Sequence, residues 1–348
     1  MTISSSVYSN AKVAVLGASG YTGAETIRLV LSHPNLDITT LTADRYAGKK
    51  IEEVFPHLHG KNLPKCIKIE DLNFNEIDII FGCLPNNVSQ RVALSLPKNI
   101  VFIDLSAAFR FKEIDLYKSV YGDHLAPDLQ NNAVYGLTEC FRENIKKSKL
   151  IANPGCYPTS ALLPLIPIIK TRLVDKDNII IDSKSGATGA GRSLREDMLF
   201  SELNESINAY GLENHRHLPE IRSILENIHN EVVDITFTPH LIPMKRGIYS
   251  TIYLSGEEDL IREQLKETYS EEIFVQVLDK GVLPKSGNVA GSNVCNIGIF
   301  SGNKKNQTII LSTLDNMVKG AAGQAIQNLN IILGYNESEG LTLGPLYP

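Results

Sequence analysis

Between Lys12–Leu16, an apolar run that reads as a buried strand, and a helical pattern from Thr22 to about Leu31 lies Gly17-Ala18-Ser19-Gly20-Tyr21-Thr22-Gly23. This junction constrains the chain more than any other feature. A strand that feeds a helix through a glycine turn belongs to a parallel βα unit. There the turn brings backbone close to a pyrophosphate, and the helix N–H groups face the anion. The spacing is GxxGxxG rather than GxGxxG, and an ordinary tight βα turn could also show it. Three glycines in this setting favour a dinucleotide.

The alternation continues through strand-like Ile38–Thr42, Ile77–Phe81 and Ile100–Asp104, a helix-like stretch around Val88–Leu96, and Leu150–Ala152 as the last strand. Short, continuous apolar strands separated by helices predict an α/β, Rossmann-type, doubly wound parallel sheet. The rhythm then changes. Asn178–Asp182, Val232–Thr238, Ile248–Leu254, Val294–Phe300 and Gln307–Ser312 are strand-like with fewer helices between them. A mixed sheet in a second, α+β domain follows, and 348 residues suit two domains at about 100–200 residues each. Leu314–Leu329 reads as an amphipathic helix with Leu314, Val318, Ala321, Ala322, Ala325 and Leu329 on one stripe. Gly320, Ala321, Ala322 and Gly323 would let another backbone approach it.

Composition narrows the function. A net charge of −5 without a basic block argues against nucleic acid as a partner. Ala161–Ile169, the longest apolar candidate, falls short of the ~18–20 residues of a membrane span and contains Pro164 and Pro167. Met1–Asn10 is Ser-rich without the basic and apolar regions of a signal peptide. The five cysteines form no CxxC pair, so a reducing, cytoplasmic setting is expected. Cys66, Cys83, Cys140 and Cys295 read as small packing residues.

Cys156 differs. In Asn153-Pro154-Gly155-Cys156-Tyr157-Pro158-Thr159 a strand ends, a Pro-Gly turn follows and an apolar helix starts. The helix N-terminus is expected to stabilise a thiolate and lower the thiol pKa, as covalent catalysis requires. Beside a nicotinamide, such a thiol attacks an activated acyl carbon, and hydride then reduces the thioester to an aldehyde. An acid/base is needed, and His215-Arg216-His217-Leu218-Pro219-Glu220 supplies two candidates. Leu218 precedes proline, so the stretch is expected to be extended, with both histidines on one side and Arg216 opposite. His57-Leu58-His59 repeats the spacing, but neither pair has a third ligand, so no metal is expected.

Anion-binding groups are also visible. The Ser183–Ser193 segment is rich in glycine and hydroxyls and carries Arg192. Arg110 follows a parallel strand and is a candidate anion clamp or a surface arginine. Ala43-Asp44-Arg45 ends the second strand and points two ways: an acid suits the ribose of NAD, an arginine the 2′-phosphate of NADP.

Taken together, the glycine turn, the Cys156 and His215–Ile221 segments, the Ser183–Ser193 loop and Phe237–Met244 resemble the N-acetyl-gamma-glutamyl-phosphate reductases of the semialdehyde dehydrogenase superfamily. The resemblance spans nearly the whole chain. It implies an NADP-binding Rossmann-type domain of residues 1–155 and 315–348, and a catalytic and oligomerisation domain of residues 156–314. It implies NADPH-dependent reduction of N-acetylglutamyl phosphate through a Cys156 thioacyl intermediate, with phosphate release and no metal, by a homo-oligomer (dimer or tetramer). His217 would be the acid/base, with His215 competing for that role. Gly17, Ala18, Ser19, Gly20, Tyr21, Thr22, Gly23, Arg45, Ser185, Gly186 and Asn293 would contact cofactor. Arg110, Asn153, Arg192 and His215 would contact substrate, with Ser185 and Gly186 also near its anionic groups. Reductases of the longer aminoadipyl phosphate or of aspartyl phosphate share the mechanism, and a nucleotide-sensing module without catalysis would leave Cys156 inert.

Overall fold

Strands with aliphatic side chains on both faces build the first sheet of this computed structural model, which describes residues 10–346. Met1–Ser9, nearly all of the segment read for a signal peptide, and Tyr347–Pro348 lie outside the described residues. The strands are β1 (Ala11–Leu16), β2 (Leu36–Thr42), β3 (Cys66–Ile67), β4 (Ile79–Gly82), β5 (Val101–Asp104), β6 (Ala133–Tyr135) and β7 (Leu150–Ala152). They pair in parallel in the order β3-β2-β1-β4-β5-β7-β6. Parallel neighbours require crossovers. These carry α1 (Tyr21–Val30), α2 (Asn86–Ser95), α3 (Ile114–Tyr121), α4 (Pro127–Gln130) and α5 (Thr138–Ile145). Val13 and Val15 pack into one apolar cluster and Ala14 and Leu16 into another, so the sheet is buried on both faces. Strand order reverses at β1, between β2 and β4, which places a ligand crevice at their C-terminal ends. β7 is the last strand of this sheet along the chain, as expected, but β6, which precedes it in sequence, pairs outside it; three half-buried residues left β6 too little pattern to read.

The second sheet contains β8 (Ile179–Ser185), β9 (Asn208–Ala209), β10 (Ile235–Leu241), β11 (Ile248–Ser255), β12 (Val275–Val277), β13 (Cys295–Ser301) and β14 (Gln307–Leu314). Its order is β12-β13-β14-β11-β8-β10-β9, with β8–β10 and β12–β13 parallel and the other pairs antiparallel. One face is covered by α6 (Cys156–Lys170), α8 (His217–His229) and α9 (Glu258–Thr268), whose Leu162, Leu225 and Leu265 share a core with Ile181, Ile252 and Ile310. The short α7 (Phe200–Leu203) lies in the loop after β8. The other face presents half-buried Ile180, Tyr249, Tyr253 and Ile309.

The C-terminal segment corrects the amphipathic reading. Leu314 belongs to β14, and the helix starts later as a π-helical turn, Val318–Ala322, continuing as α10 (Gly323–Leu333). Val318, Ala322, Ala325 and Leu329 pack into the core of the first sheet. The polar side is buried too, because it meets α5 and the β6–α5 turn instead of water. Gln324 donates to Thr138 at 2.6 Å and Asn328 to the Gly136 carbonyl at 2.8 Å. Among the described residues no helix is long and apolar enough to cross a membrane.

Candidate active site

Cys156 is the first residue of α6, four residues beyond the end of β7. The turn before it is held from below by Glu220, one helical turn into α8. Glu220 accepts the Gly155 N–H at 2.9 Å, the Tyr135 hydroxyl at 2.8 Å and Arg110 Nη1 at 3.0 Å. Arg110 is only 7% exposed, and its other nitrogens donate to the carbonyls of Asn153 at 2.8 Å and Leu105 at 3.1 Å. Arg110 lines the cavity beside Cys156 and, paired with a buried carboxylate and two carbonyls, also holds the cysteine turn. Asn153 is likewise engaged, donating to the Ala321 carbonyl at 3.1 Å and accepting from Asn328 at 3.2 Å.

The His-Arg-His segment is not extended. Arg216 has helical dihedrals, φ −56° and ψ −20°, and His217 opens α8. Pro219 then falls in the first turn, where its missing N–H has no helical partner to lose. His215 Nδ1 accepts the His217 N–H at 3.1 Å, and the two rings sit edge-on with centroids 5.0 Å apart. The histidines share a side through this turn, and Arg216 also faces the site. A Cβ placed on Gly155 would lie 2.6 Å from His217 Nε2. Only glycine therefore lets this imidazole lie against the residue preceding the thiol. From the other side, a Cβ on Gly320 would lie 2.8 Å from the Cys156 Cβ, so the small residues of the C-terminal segment let it close on the nucleophile.

Burial sets the protonation states. It pushes the Cys156 thiol up, although the Tyr157 N–H, Arg110 and Arg216 pull the other way. The expected depression by the helix terminus is thus overruled by desolvation. Burial also drives His217 well below 6.5, helped by His215, Arg216 and Arg110, and takes His215 down to about 4 with Arg216 assisting. The resting pair is a neutral thiol and a neutral imidazole.

Cys156, Gly189, Arg216 and His217 stand where two cavities meet. One, of about 580 Å³, runs from the crevice of the first sheet past Thr22, Pro85, Ser106 and Asn316. The other, about 720 Å³, lies within the second domain and includes Ser185, Gly186, Tyr210, Asn214 and His215. Ser185 and Gly186 therefore sit away from the glycine turn, on the far side of Cys156. Asn293 is not at either cavity. It is 1% exposed and donates to Gln327 at 3.0 Å, inside the packing beneath the C-terminal helix. Arg192 also lies outside both linings: it donates to the Ser19 carbonyl at 3.2 Å and sits over Phe55, 4.9 Å from the ring centre.

Two family models cover the chain: the semialdehyde dehydrogenase NAD binding domain over residues 12–148, and the semialdehyde dehydrogenase dimerisation domain over residues 156–316. A probable N-acetyl-gamma-glutamyl-phosphate reductase, chloroplastic, of Arabidopsis thaliana is 49% identical over 97% of the chain and 85% of its own length. An N-acetyl-gamma-glutamyl-phosphate reductase of Afipia carboxidovorans is 48% identical over 95% and 97%. The chain belongs to the N-acetyl-gamma-glutamyl-phosphate reductase family. Among solved structures, aspartate semialdehyde dehydrogenase II of Vibrio cholerae complexed with ASA aligns with a TM-score of 0.72 at 16% identity, over 93% of this chain and 98% of that one. The Candida albicans aspartate semialdehyde dehydrogenase with NADP aligns at 0.67 and 17%, over 93% and 98%. These share the fold.

In this reductase family member the glycine turn fits a dinucleotide. Gly17 N–H bonds Thr42 Oγ1 at 3.2 Å and Ala18 N–H the Thr42 carbonyl at 2.8 Å, which ties the turn to the end of β2. Gly20 caps α1 without a side-chain acceptor, leaving first-turn N–H groups open to an anion. Asp44 and Arg45 are both exposed in the turn after β2. The sequence reading missed Glu220, Arg216 and Asn316. Glu220 and Arg216 stood inside the quoted histidine segment, where helical spacing puts Glu220 three residues after His217. Asn316, which accepts the Gly247 N–H at 2.8 Å and donates to Thr188 at 3.0 Å, had no local signal.

Proposed function

We propose that the chain reduces N-acetyl-L-glutamyl 5-phosphate to N-acetyl-L-glutamate 5-semialdehyde with NADPH, releasing phosphate, as a step of arginine biosynthesis. The observation that carries this reading is the placement of Cys156 and His217 at the meeting point of a dinucleotide crevice and a second chamber. Residues 1–155 with 315–348 serve as the NADP-binding unit and 156–314 as the catalytic one.

His217 Nε2 takes the Cys156 proton as sulfur attacks the acyl carbon. Its buried Nδ1 has no partner among the described residues, and the Nδ1–H tautomer leaves Nε2 free to accept. Arg216, with no carboxylate partner among the described residues, replaces the Glu220-paired Arg110 as the cation that meets substrate phosphate. Phosphate leaves and the acyl group remains on sulfur as a thioester. Bound nicotinamide supplies the hydride that reduces that carbon. The C–S bond then breaks, the aldehyde departs, and the imidazolium returns its proton to Cys156. Thr22, Pro85 and Asn316 would border the cofactor near this carbon; Tyr210, Asn214 and His215 would border the acyl chain.

A homo-oligomer, dimer or tetramer, is the working assembly. The half-buried Ile180, Tyr249, Tyr253 and Ile309 on the uncovered face of the second sheet support it. The mechanism needs a reduced Cys156, which suits the cytoplasm or another reducing compartment.

The reaction is testable in reverse. With NADP and phosphate, the protein should oxidise N-acetylglutamate semialdehyde far faster than the acetylated aminoadipate or the unacetylated aspartate semialdehyde. Preference for either of the other two would replace the assigned substrate. His217→Asn should lower kcat by about a hundredfold or more, and His215→Asn by much less. Because burial holds His217 well below 6.5, kcat/KM should show no histidine step near 6.5 and should fall only at lower pH. A step at 6.5 that His217→Asn removes would contradict this.

A further inference from the structure

The sequence groups Arg192 with the substrate anions, yet the structure sets it elsewhere. It projects from the loop after β8 in the second domain and donates to the carbonyl of Ser19, inside the glycine turn. Its guanidinium lies over Phe55, 4.9 Å from the ring centre, within reach of a cation–π contact. Phe55 belongs to the connection between β2 and β3 and to the same apolar cluster as Leu41 and Ala43 at the end of β2. The same strand end holds the glycine turn through Thr42. In a doubly wound fold the ribose of the adenosine sits beyond this strand end, remote from the nicotinamide. Arg192 therefore stands at the adenosine end of the crevice, while Cys156 stands at the other.

The local charges then have a consistent use. Asp44 follows β2 where an acid would select an unphosphorylated ribose, and Arg45 beside it carries the opposite preference. One arginine next to one carboxylate leaves no net positive charge to hold a dianionic group. A second arginine reaching in from the opposite domain supplies it. Arg192 has no carboxylate partner among the described residues, and only one of its nitrogens has a hydrogen-bond acceptor, a neutral carbonyl. Its remaining fork is free for phosphate oxygens.

We propose that Arg192 is the coenzyme-specificity residue of this protein, binding the 2′-phosphate of NADPH across the crevice from the catalytic domain together with Arg45. The proposal rests on the NADPH reading. It adds that selectivity comes from a loop that also carries Gly189 at the Cys156 site.

Calorimetry with two nucleotide fragments, without substrate, tests it on the full chain. The unaltered protein should bind adenosine 2′,5′-bisphosphate more tightly than adenosine 5′-monophosphate. In Arg192→Gln this ratio should fall at least tenfold. In parallel assays the ratio of kcat/KM for NADPH over NADH should fall by a similar factor. Equal binding of both fragments by the unaltered protein would overturn the NADPH reading and the assignment with it. A preference that survives Arg192→Gln, or vanishes only in Arg45→Gln, would overturn the assignment alone. So would a loss equal for both fragments, or one confined to KM for the semialdehyde, since either would place Arg192 on the 5′-phosphate or on substrate.

Discussion

Cys156→Ser should abolish phosphate-dependent oxidation of N-acetylglutamate semialdehyde, with a loss on the order of 10⁴-fold or more, as expected when a covalent nucleophile is removed. The hydroxyl is nearly isosteric with the thiol, so the fold and the glycine turn should be untouched and binding of NADPH retained. The size of the loss follows from the electrostatics of the site. Desolvation already holds the thiol above its ordinary value, and activation depends on proton transfer to a neutral His217. A serine hydroxyl is a far weaker acid, and the same imidazole cannot ionise it to a useful extent. Steady-state assay with a parallel measurement of NADPH affinity checks this. Full activity in the serine variant would end the thioacyl mechanism, and lost NADPH binding would show that the substitution had damaged more than the nucleophile.

The largest effect on stability should come from Lys319, whose side chain lines neither cavity. Its ammonium is fully buried, bonded to Glu139 Oε1 at 2.5 Å and Gln327 Oε1 at 2.7 Å. Burial alone would push Glu139 up, but Lys319 and Gln327 outweigh it and hold the carboxyl below 4.5. Lys319→Met leaves that carboxylate buried without its cation and should cost about 3–5 kcal/mol in unfolding free energy. The sign with pH is defined. A carboxyl depressed in the folded state stabilises it above the unfolded pKa, and this contribution is lost as pH falls through the lower folded value. In the methionine variant Glu139 can accept a proton, so the deficit should shrink in acid. Urea unfolding at pH 7 and pH 4.5 tests both points. A loss below about 1 kcal/mol at pH 7 would show that the pair is dispensable. Adding Glu139→Gln to Lys319→Met should restore part of the loss, because no unpaired charge would then remain.

Much of the architecture was legible because its signals are local. The glycine turn, the strand starts and the Cys156 turn are each written within a few consecutive residues, and the helix start at Cys156 needs only Pro154-Gly155 before it. Where partners lie far apart in sequence, the reading failed. The ion pair of Arg110 was invisible because Glu220 is 110 residues away. The family resemblance offered Asn293 as a cofactor contact, and nothing near it in sequence announces Gln327. The polar residues of α10 looked solvent-facing because their cover, α5, comes from a distant part of the chain. The His-Arg-His segment was read as extended from the proline rule, but the turn built by His215 Nδ1 on the His217 N–H prevailed.

Short-range order along the chain was thus enough to mark the candidate nucleophile and histidines, the dinucleotide turn and the two kinds of sheet, since each depends on neighbouring residues and on periodicity. Only the folded molecule decided which groups remain free to act. Burial, which no local window contains, raised the thiol of Cys156 and kept both histidines neutral. Long-range pairing tied Arg110 to Glu220 and left Arg216, without a carboxylate partner among the described residues, at the meeting point of the two cavities. Domain packing set Arg192 against the Ser19 carbonyl and the Phe55 ring, outside the linings of both cavities.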